Sequence, residues 1–550
     1  MEEVDELGYL KLDILGLNEL DIIKYALGLV EKRHGVKIDF EDFPQGNKKA
    51  FQILAEGRTE GVFQMRSNLG RTWCRSIKPT NIEEISAIAA LIRPACLDAG
   101  MTHRYAKIKD GREEEAYIHD DLRAILGPTL SVYIYQEQAL QMCAMVGMTL
   151  SEADIVRKAI GKKKPELLAQ QEARFVELAN QNGYEDIAAQ LWNYIKEGAG
   201  YGFNKSHSVA YSLLSYKNAY LKANYPSEFF CANMVKCANL GDKQKALDRI
   251  KELINDAKIT GIKVTPPSIQ VCNMDFEITS PNSIAFGLSH IHGVGIGGLR
   301  AVSKCKSATD FYDFVRLAND SRVNRRVMEG LIRSGACDMF GMPRKQMELE
   351  YTTIQDLPKR ERDHVIATMT EEGLLPLIDL MGDEDTVDDR KVRKDFVPNV
   401  NRRIKLRELY AQLYEESVFN DDKEWNLQNE QKYLGCTLSG TFEDVFTSLP
   451  HTGHNCLDTL TMEDDSRFQL CVQIDDVRVV HTKKDKKPMA FMSVSDKSYG
   501  LKDVVVFPKT YAKYGELLVP NSIIRMWCFY SDGVKAWKIQ SISMIKSETF

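Results

Sequence analysis

The apolar residues of this chain change their spacing once, and that change limits the folds open to it. From about Asn18 to Thr265 they recur every three or four residues, as in Ile82–Leu91, Gln136–Val146, Glu166–Asn180 and His207–Asn224. That spacing lines one face of an α-helix. From Phe468 onward the pattern turns to strands, alternating in FQLCVQIDDVRVV and continuing in MAFMSVSD, VVVFP, SIIRMWCFY and AWKIQSISMI. Five such segments parted by polar turns predict a small barrel or sandwich. A chain of 550 residues with both textures holds several domains rather than one core. Between them, Pro266-Pro267 opens a stretch of shorter helices with glycine and arginine turns up to Gly341, and residues 345–430 read as a charged, glycine-poor helical connector. Ahead of everything, Tyr9–Ile14 (YLKLDI) alternates before Gly16 and predicts one short strand.

Composition excludes several classes. No apolar run approaches the ~18 residues that span a membrane, and the start MEEVDELGY is acidic, unlike a secretory signal. The twelve cysteines never fall at CxxC spacing, which argues against zinc and a secreted disulfide scaffold and for free thiols in a cytoplasmic protein. The net charge of −6 would disfavour nucleic acid if charge were uniform, but phosphate binding depends on where cations cluster. They cluster at Arg157–Lys164 (RKAIGKKK), Arg322–Arg326 (RVNRR), Arg402–Arg407 (RRIKLR) and Lys483–Lys487 (KKDKK). Each run also suits a solvated face.

Lys11 and Asp13 stand two apart on the predicted strand, so they share a face. The pair suits a divalent metal with an adjacent phosphate, or a surface ion pair. Arg157 and Lys158 lie on a helix that ends at Gly161, followed by Lys162, Lys163 and Lys164. These cations suit triphosphate or duplex phosphates, or a dipole-favoured helix end. Ala199–Tyr211 (AGYGFNKSHSVAY) gathers Tyr201, Phe203, Asn204, Lys205 and His207 just ahead of an amphipathic helix. Aromatics beside cations stack on bases while the cations hold phosphate; His207 alone is equally a structural histidine. Gly293, Gly295 and Gly298 in IHGVGIGGLRA satisfy GxGxxG, but no second strand follows as a dinucleotide fold requires. The better reading is a helix-hairpin-helix turn, whose amides at Gly293 and Gly295 approach a DNA phosphate, and Arg325 and Arg326 of the basic run RVNRR are further candidates for DNA contact. Lys483, Lys484, Lys486 and Lys487 fall in a turn between strands, where an OB-fold meets single-stranded nucleic acid.

Taken in order, these stretches resemble one family, the bacterial C-family replicative DNA polymerases (polymerase III alpha subunits). LKLDILGL (Leu10–Leu17) resembles the palm strand that bears a catalytic aspartate. GVFQMRS, ALIRPACLDAGM, YQEQ, RKAIGKKKPE and AGYGFNKSHSVAY resemble successive finger motifs. FGLSHIHGVG and NRRVMEGLIRSGACD resemble the tandem helix-hairpin-helix region, and the C-terminal strands resemble the family's OB domain. Ala95 and Cys96 replace the glycine and proline usual after the Arg-Pro of that family.

The resemblance implies a multidomain α+β fold: a palm-edge strand in residues 1–20, mostly helical fingers in 21–265, tandem helix-hairpin-helix in 266–344, a helical connector in 345–465, and an all-β OB-fold in 466–550. It implies nucleotidyl transfer with two Mg²⁺ ions, Asp13 as a metal ligand and Lys11 as its phosphate-facing neighbour. Arg93, Arg157, Lys158, Lys162–Lys164, Asn204, Lys205 and His207 would contact the dNTP, and Tyr201 and Phe203 the primer-template. The palm's other two aspartates are expected on a partner polypeptide, the N-terminal polymerase half of a split, phage-type enzyme. A truncated form of a longer polymerase and a non-catalytic DNA-binding accessory protein are the alternatives. A sliding clamp is a further partner to consider, since Gln346–Tyr351 (QMELEY) roughly fits its peptide motif, although a plain helix fits it better.

Overall fold

The computed structural model describes residues 16–359 apart from 162–164, 200, 240–242 and 272–273, then 422–441 and 466–544 apart from 483–484, 521 and 532–535, with short stretches between. Lys11, Asp13, Lys162, Lys163, Lys164, Lys483 and Lys484, the strand predicted at Tyr9–Ile14 and most of the connector lie outside the described residues. The chain divides into two compact units, Met1–Lys236 and Cys237–Phe550. This division falls about thirty residues before the change of texture at Pro266-Pro267.

The first unit is helical. Its main helices are α1 (Asn18–His34), α2 (Ile82–Leu91), α3 (Gln136–Met145), α4 (Leu150–Gly161), α5 (Pro165–Gln181), α6 (Ala188–Ala199) and α7 (Lys205–Asn224). Capping fixes where several begin. Asn81 caps α2 by accepting from Glu84 N at 2.9 Å, and Gly35 closes α1 in the left-handed region. Helix α7 packs against α2, α1 and the short helix Lys48–Ala55. It runs through the interior on small polar side chains: Ser208 and Ser215 donate to the carbonyls of Ser86 and Phe63, both at 2.8 Å. Lys222, almost fully buried, donates to the carbonyls of Arg58 (2.7 Å) and Glu60 (2.8 Å). A buried ammonium is tolerated only when so bonded. A second core gathers α3, α4, α5 and α6 around Trp192 and Phe175, whose ring centroids lie 5.2 Å apart.

The second unit begins with α8 (Lys243–Ile259) and a three-stranded sheet of β1 (Lys263–Thr265), β2 (Glu277–Ser280) and β3 (Ser283–Ala285), ordered β1-β3-β2. Strands of three and four residues are too short to show a period, and the sequence reading missed them. Helices α9 (Ile296–Val302), α10 (Phe311–Asp320), α11 (Arg325–Arg333) and α12 (Arg344–Gln355) follow. Helix α12 contains Gln346–Tyr351, and Met347, Leu349 and Tyr351 are buried. A clamp-binding peptide must expose those side chains, so this segment is a packed helix and not a clamp motif. Beyond the connector, α13 (Lys423–Leu434) packs on α11.

The C-terminal strands are β4 (Arg467–His481), β5 (Pro488–Ser495), β6 (Gly500–Val506), β7 (Ile523–Ser531) and β8 (Ala536–Met544), with α14 (Pro508–Tyr514) between β6 and β7. They close a barrel in the order β4-β5-β6-β8-β7. A closed five-stranded barrel of this kind is consistent with an OB-fold. The alternation read from sequence holds: Phe468, Leu470, Val472 and Ile474 point into the core with Met492, Val494, Ile524 and Met526.

Candidate functional site

The loop Tyr201–Asn204 leads into α7 and is fastened on three sides. Phe203 N donates to Ile134 O at 2.9 Å and Gln136 N donates to Phe203 O at 2.8 Å, a parallel bridge between the loop and the start of α3. Glycines allow the approach: a Cβ on Gly202 would lie 3.3 Å from Gln136 N, and one on Gly198 would lie 1.8 Å from the Tyr133 ring. The start of α7 is then satisfied locally. Asn204 Oδ1 accepts from His207 N at 2.8 Å, and both carboxylate oxygens of Glu137 accept from Lys205 N at 3.0 Å. An anion there also meets the positive end of the helix dipole.

Arg93, just before the short helix Pro94–Asp98, reaches the same loop. Its Nη2 donates to Tyr201 O, its Nε donates to Ala90 O at 2.8 Å, and its guanidinium lies 4.7 Å from the centroid of the Phe203 ring. Ala95 lies within that short helix and Cys96 is buried beneath Arg93, 3.5 Å from Nη2. The aromatic face continues along α7. Phe203 meets His207 at 5.7 Å, His207 meets Tyr211 at 4.2 Å, and Tyr211 meets Phe63 at 5.2 Å, all between ring centroids. His207 and Asn204 are exposed, while Phe203, Lys205 and Arg93 are half-buried.

Arg157 enters from α4. Its Nη1 lies 3.5 Å from Gln136 Oε1, and Gln136 Nε2 donates to Gly202 O at 3.3 Å, so Gln136 ties the arginine to the loop. Arg157 and Lys158 both pair with Asp154, at 2.7 Å each. Hydrogen bonds from Lys158 and then Arg157 hold the Asp154 carboxyl below its ordinary range. Beneath the loop, Tyr135 OH and Ser86 Oγ lie 2.9 Å apart, and burial pushes the Tyr135 phenol up to about 12. The structure thus brings Arg93, Arg157, Tyr201, Phe203, Asn204, Lys205 and His207 together in one cluster around this loop, with Lys158 linked to Arg157 through their shared partner Asp154. Sequence reading missed Gln136 and Glu137 as members of it, although both lie in the YQEQ motif. Their contacts reach across 66 and 68 residues.

In the second unit Gly293 adopts a φ of +87° and Gly295 caps α9. The Arg326 side chain lies over Gly293, with Nε 3.1 Å from where a Cβ would stand. Arg325 pairs with Glu329 at 2.8 Å. An open cleft of about 620 Å³ is lined by His292, Arg325, Arg326, Glu329, Lys432 and Tyr433. His292 N donates to Tyr433 O at 2.8 Å, which joins α13 to the hairpin. Lys432 and Tyr433 carry no local signal of this position. On the barrel, Lys486 and Lys487 are exposed in the loop between β4 and β5, and Lys486 has a φ of +50°. Among the described residues no group of His, Cys, Asp and Glu is arranged to hold a metal ion.

Comparison with known proteins gives two family matches. Residues 19–183 match the bacterial DNA polymerase III alpha subunit finger domain, and residues 261–347 match a helix-hairpin-helix motif. The DNA polymerase III subunit alpha of Aquifex aeolicus is 31% identical over all of this chain and 43% of its own length. Those of Bacillus subtilis and Escherichia coli K12 are each 36% identical over 62% of this chain and 30% of their length. The chain therefore spans less than half the length of these curated relatives.

Proposed function

Because this chain belongs to the family of DNA polymerase III alpha subunits, we propose that it supplies the fingers, helix-hairpin-helix and OB parts of a replicative DNA-directed DNA polymerase. The observation that carries this reading is the convergence of Arg93, Gln136 and Arg157 on the loop Tyr201–Asn204. That surface offers guanidinium and ammonium groups for a triphosphate beside an aromatic face for a base.

In this reading His207, exposed above Phe203, and Lys205 present donors to phosphate oxygens. Glu137 and the Asn204 cap hold the start of α7 in place, so those donors are fixed before substrate arrives. The Arg157 guanidinium is presented to the triphosphate from its pair with Asp154 and its contact with Gln136. Arg326 and the hairpin glycines contact duplex phosphates, and the loop with Lys483–Lys487 contacts the single-stranded template. Asp13, with Lys11 beside it, is the proposed ligand in a two-magnesium palm centre whose other carboxylates come from polypeptide outside this sequence. Such ions activate the attacking hydroxyl and stabilise the leaving oxygen.

Primer extension tests this with the chain alone, with the polypeptide carrying the remaining palm carboxylates, and with that polypeptide plus Asp13→Ala. Extension confined to the completed wild-type enzyme supports the reading. Equal extension by the Asp13→Ala enzyme removes Asp13 from the site. No extension in any mixture leaves a DNA-binding accessory protein as the better account.

A further inference from the structure

The outer wall of the barrel carries a patch that the polymerase reading does not use. Along β4, β7 and β8 the residues that point away from the core meet in rows: Arg467 opposite Phe529 opposite Lys538, and Trp527 and Arg525 in the next two rows along β7. Trp527 is 45% exposed. Lys538 Nζ sits between two rings, 5.8 Å from the centroid of Phe529 and 5.6 Å from that of Phe507. The remaining outward positions in these rows are one Gln, one Cys and two Ser.

Its charge sets this patch apart. The chain carries 78 acidic and 72 basic residues, and many described arginines elsewhere are paired with carboxylates, among them Arg157, Arg174, Arg316, Arg325, Arg333 and Arg344. Arg467, Arg525 and Lys538 form no ion pair among the described residues, and Arg525 Nε is buried without a hydrogen-bond partner. These rows, cationic and without acid among the described residues, with Trp527 exposed and Phe529 half-buried, complement a polyanion with flat apolar faces. Trp527 and Phe529 lie two residues apart on one strand, which separates them by about 7 Å. That is roughly twice the base-to-base rise of a duplex strand, so the rings fit the unstacked bases of an extended single strand.

We infer that the β4–β7–β8 wall is a second single-strand binding site, in which bases stack on Trp527 and Phe529 while Arg467, Arg525 and Lys538 hold the phosphates. It is separate from the basic loop between β4 and β5. The inference stands apart from the nucleotidyl-transfer reading, because it needs neither dNTP nor a completed palm.

The test is fluorescence anisotropy of a labelled oligo(dT) with the full chain, at several salt concentrations and without dNTP. Stacking removed at two bases in Trp527→Ala/Phe529→Ala, at ~1–3 kcal/mol each, should weaken affinity by about thirtyfold or more. Arg467→Gln/Arg525→Gln should make the salt slope shallower by about 1.4, at ~0.7 per phosphate contact on a single strand. Lys486→Gln/Lys487→Gln should lower affinity independently of both. Since none of these side chains belongs to the barrel's hydrophobic core, unchanged circular dichroism and melting temperature are expected. Should the double alanine variant fail to fold, acrylamide quenching of the wild type decides: subtracting the Trp527→Phe signal should show Trp527 becoming shielded when oligo(dT) is added. Unchanged affinity in the folded wall variants, Trp527 left unshielded by oligo(dT), or shielding that appears with protein concentration alone would overturn the inference, the last in favour of a second copy of the chain.

Discussion

Both carboxylate oxygens of Glu137 lie 3.0 Å from the amide nitrogen of Lys205, a residue 68 positions later. This contact pins the first turn of α7 to the start of α3 and so fixes the surface that carries Lys205 and His207. Glu137→Ala leaves that amide without its partner. Charge-assisted bonds to a helix N-terminus contribute about 1.5–3 kcal/mol. Urea unfolding should show a loss in that range, and Glu137→Gln, which keeps one acceptor, should lose less.

Gly198 tests the packing under the same loop. With Tyr133 carbons 1.8 and 2.1 Å from where its Cβ would stand, and with Tyr133 buried, the ring has to move. Overpacking of this kind costs roughly 1–3 kcal/mol. The expected result for Gly198→Ala is a lower melting temperature and weaker dNTP binding together, because the loop Tyr201–Asn204 follows directly.

Glu19 gives a pH signature. Burial raises its pKa to about 7, against smaller lowering effects from a hydrogen bond to Asn218 and the charge of Arg66, and its Oε1 is buried without a partner. The folded state therefore holds a proton that the unfolded state releases near pH 4.5, so stability falls as pH rises from about 4.5 to 7. A shift of this size corresponds to a few kcal/mol, on the order of 3. Glu19→Gln should flatten the urea midpoint across that window; a slope equal to wild type would remove Glu19 as its source.

The hairpin prediction concerns duplex DNA. Arg326→Ala should weaken binding uniformly across sequences and make the log–log salt slope shallower by about one. Lys432→Ala, on the other wall of the cleft, should do the same, whereas Glu329→Gln should strengthen binding.

How much of this was legible beforehand depends on the length scale of the signal. The barrel strands were legible because Phe468, Leu470, Val472 and Ile474 alternate with polar residues over a long run, and β4 begins one residue from the expected start. Helix α2 coincides with the stretch Ile82–Leu91 that its apolar spacing marked out, and Asn81 caps its start. The strands at Lys263–Thr265 and Ser283–Ala285 were not, since three residues show no period and pair across the chain. At the site, AGYGFNKSHSVAY was read as a binding stretch from its residue types, and the structure adds that Asn204 caps the helix that follows. Gln136, Lys432 and Tyr433 acquire their positions only through tertiary contacts, which no local spacing encodes. The pairing of Asp154 with Arg157 and Lys158, by contrast, follows from i,i+3 and i,i+4 spacing and could have been read.

The central claim is that the surface built by Arg93, Gln136, Arg157 and His207 handles the triphosphate. It is tested most directly by single-nucleotide incorporation with the completed enzyme, comparing Arg157→Ala with wild type over a range of dNTP concentrations. Loss of one charge-assisted phosphate contact, about 1.5–3 kcal/mol, predicts a fall in kcat/KM of roughly ten- to a hundredfold, with the melting temperature unchanged. Unaltered kcat and KM in a folded Arg157→Ala enzyme would contradict the account.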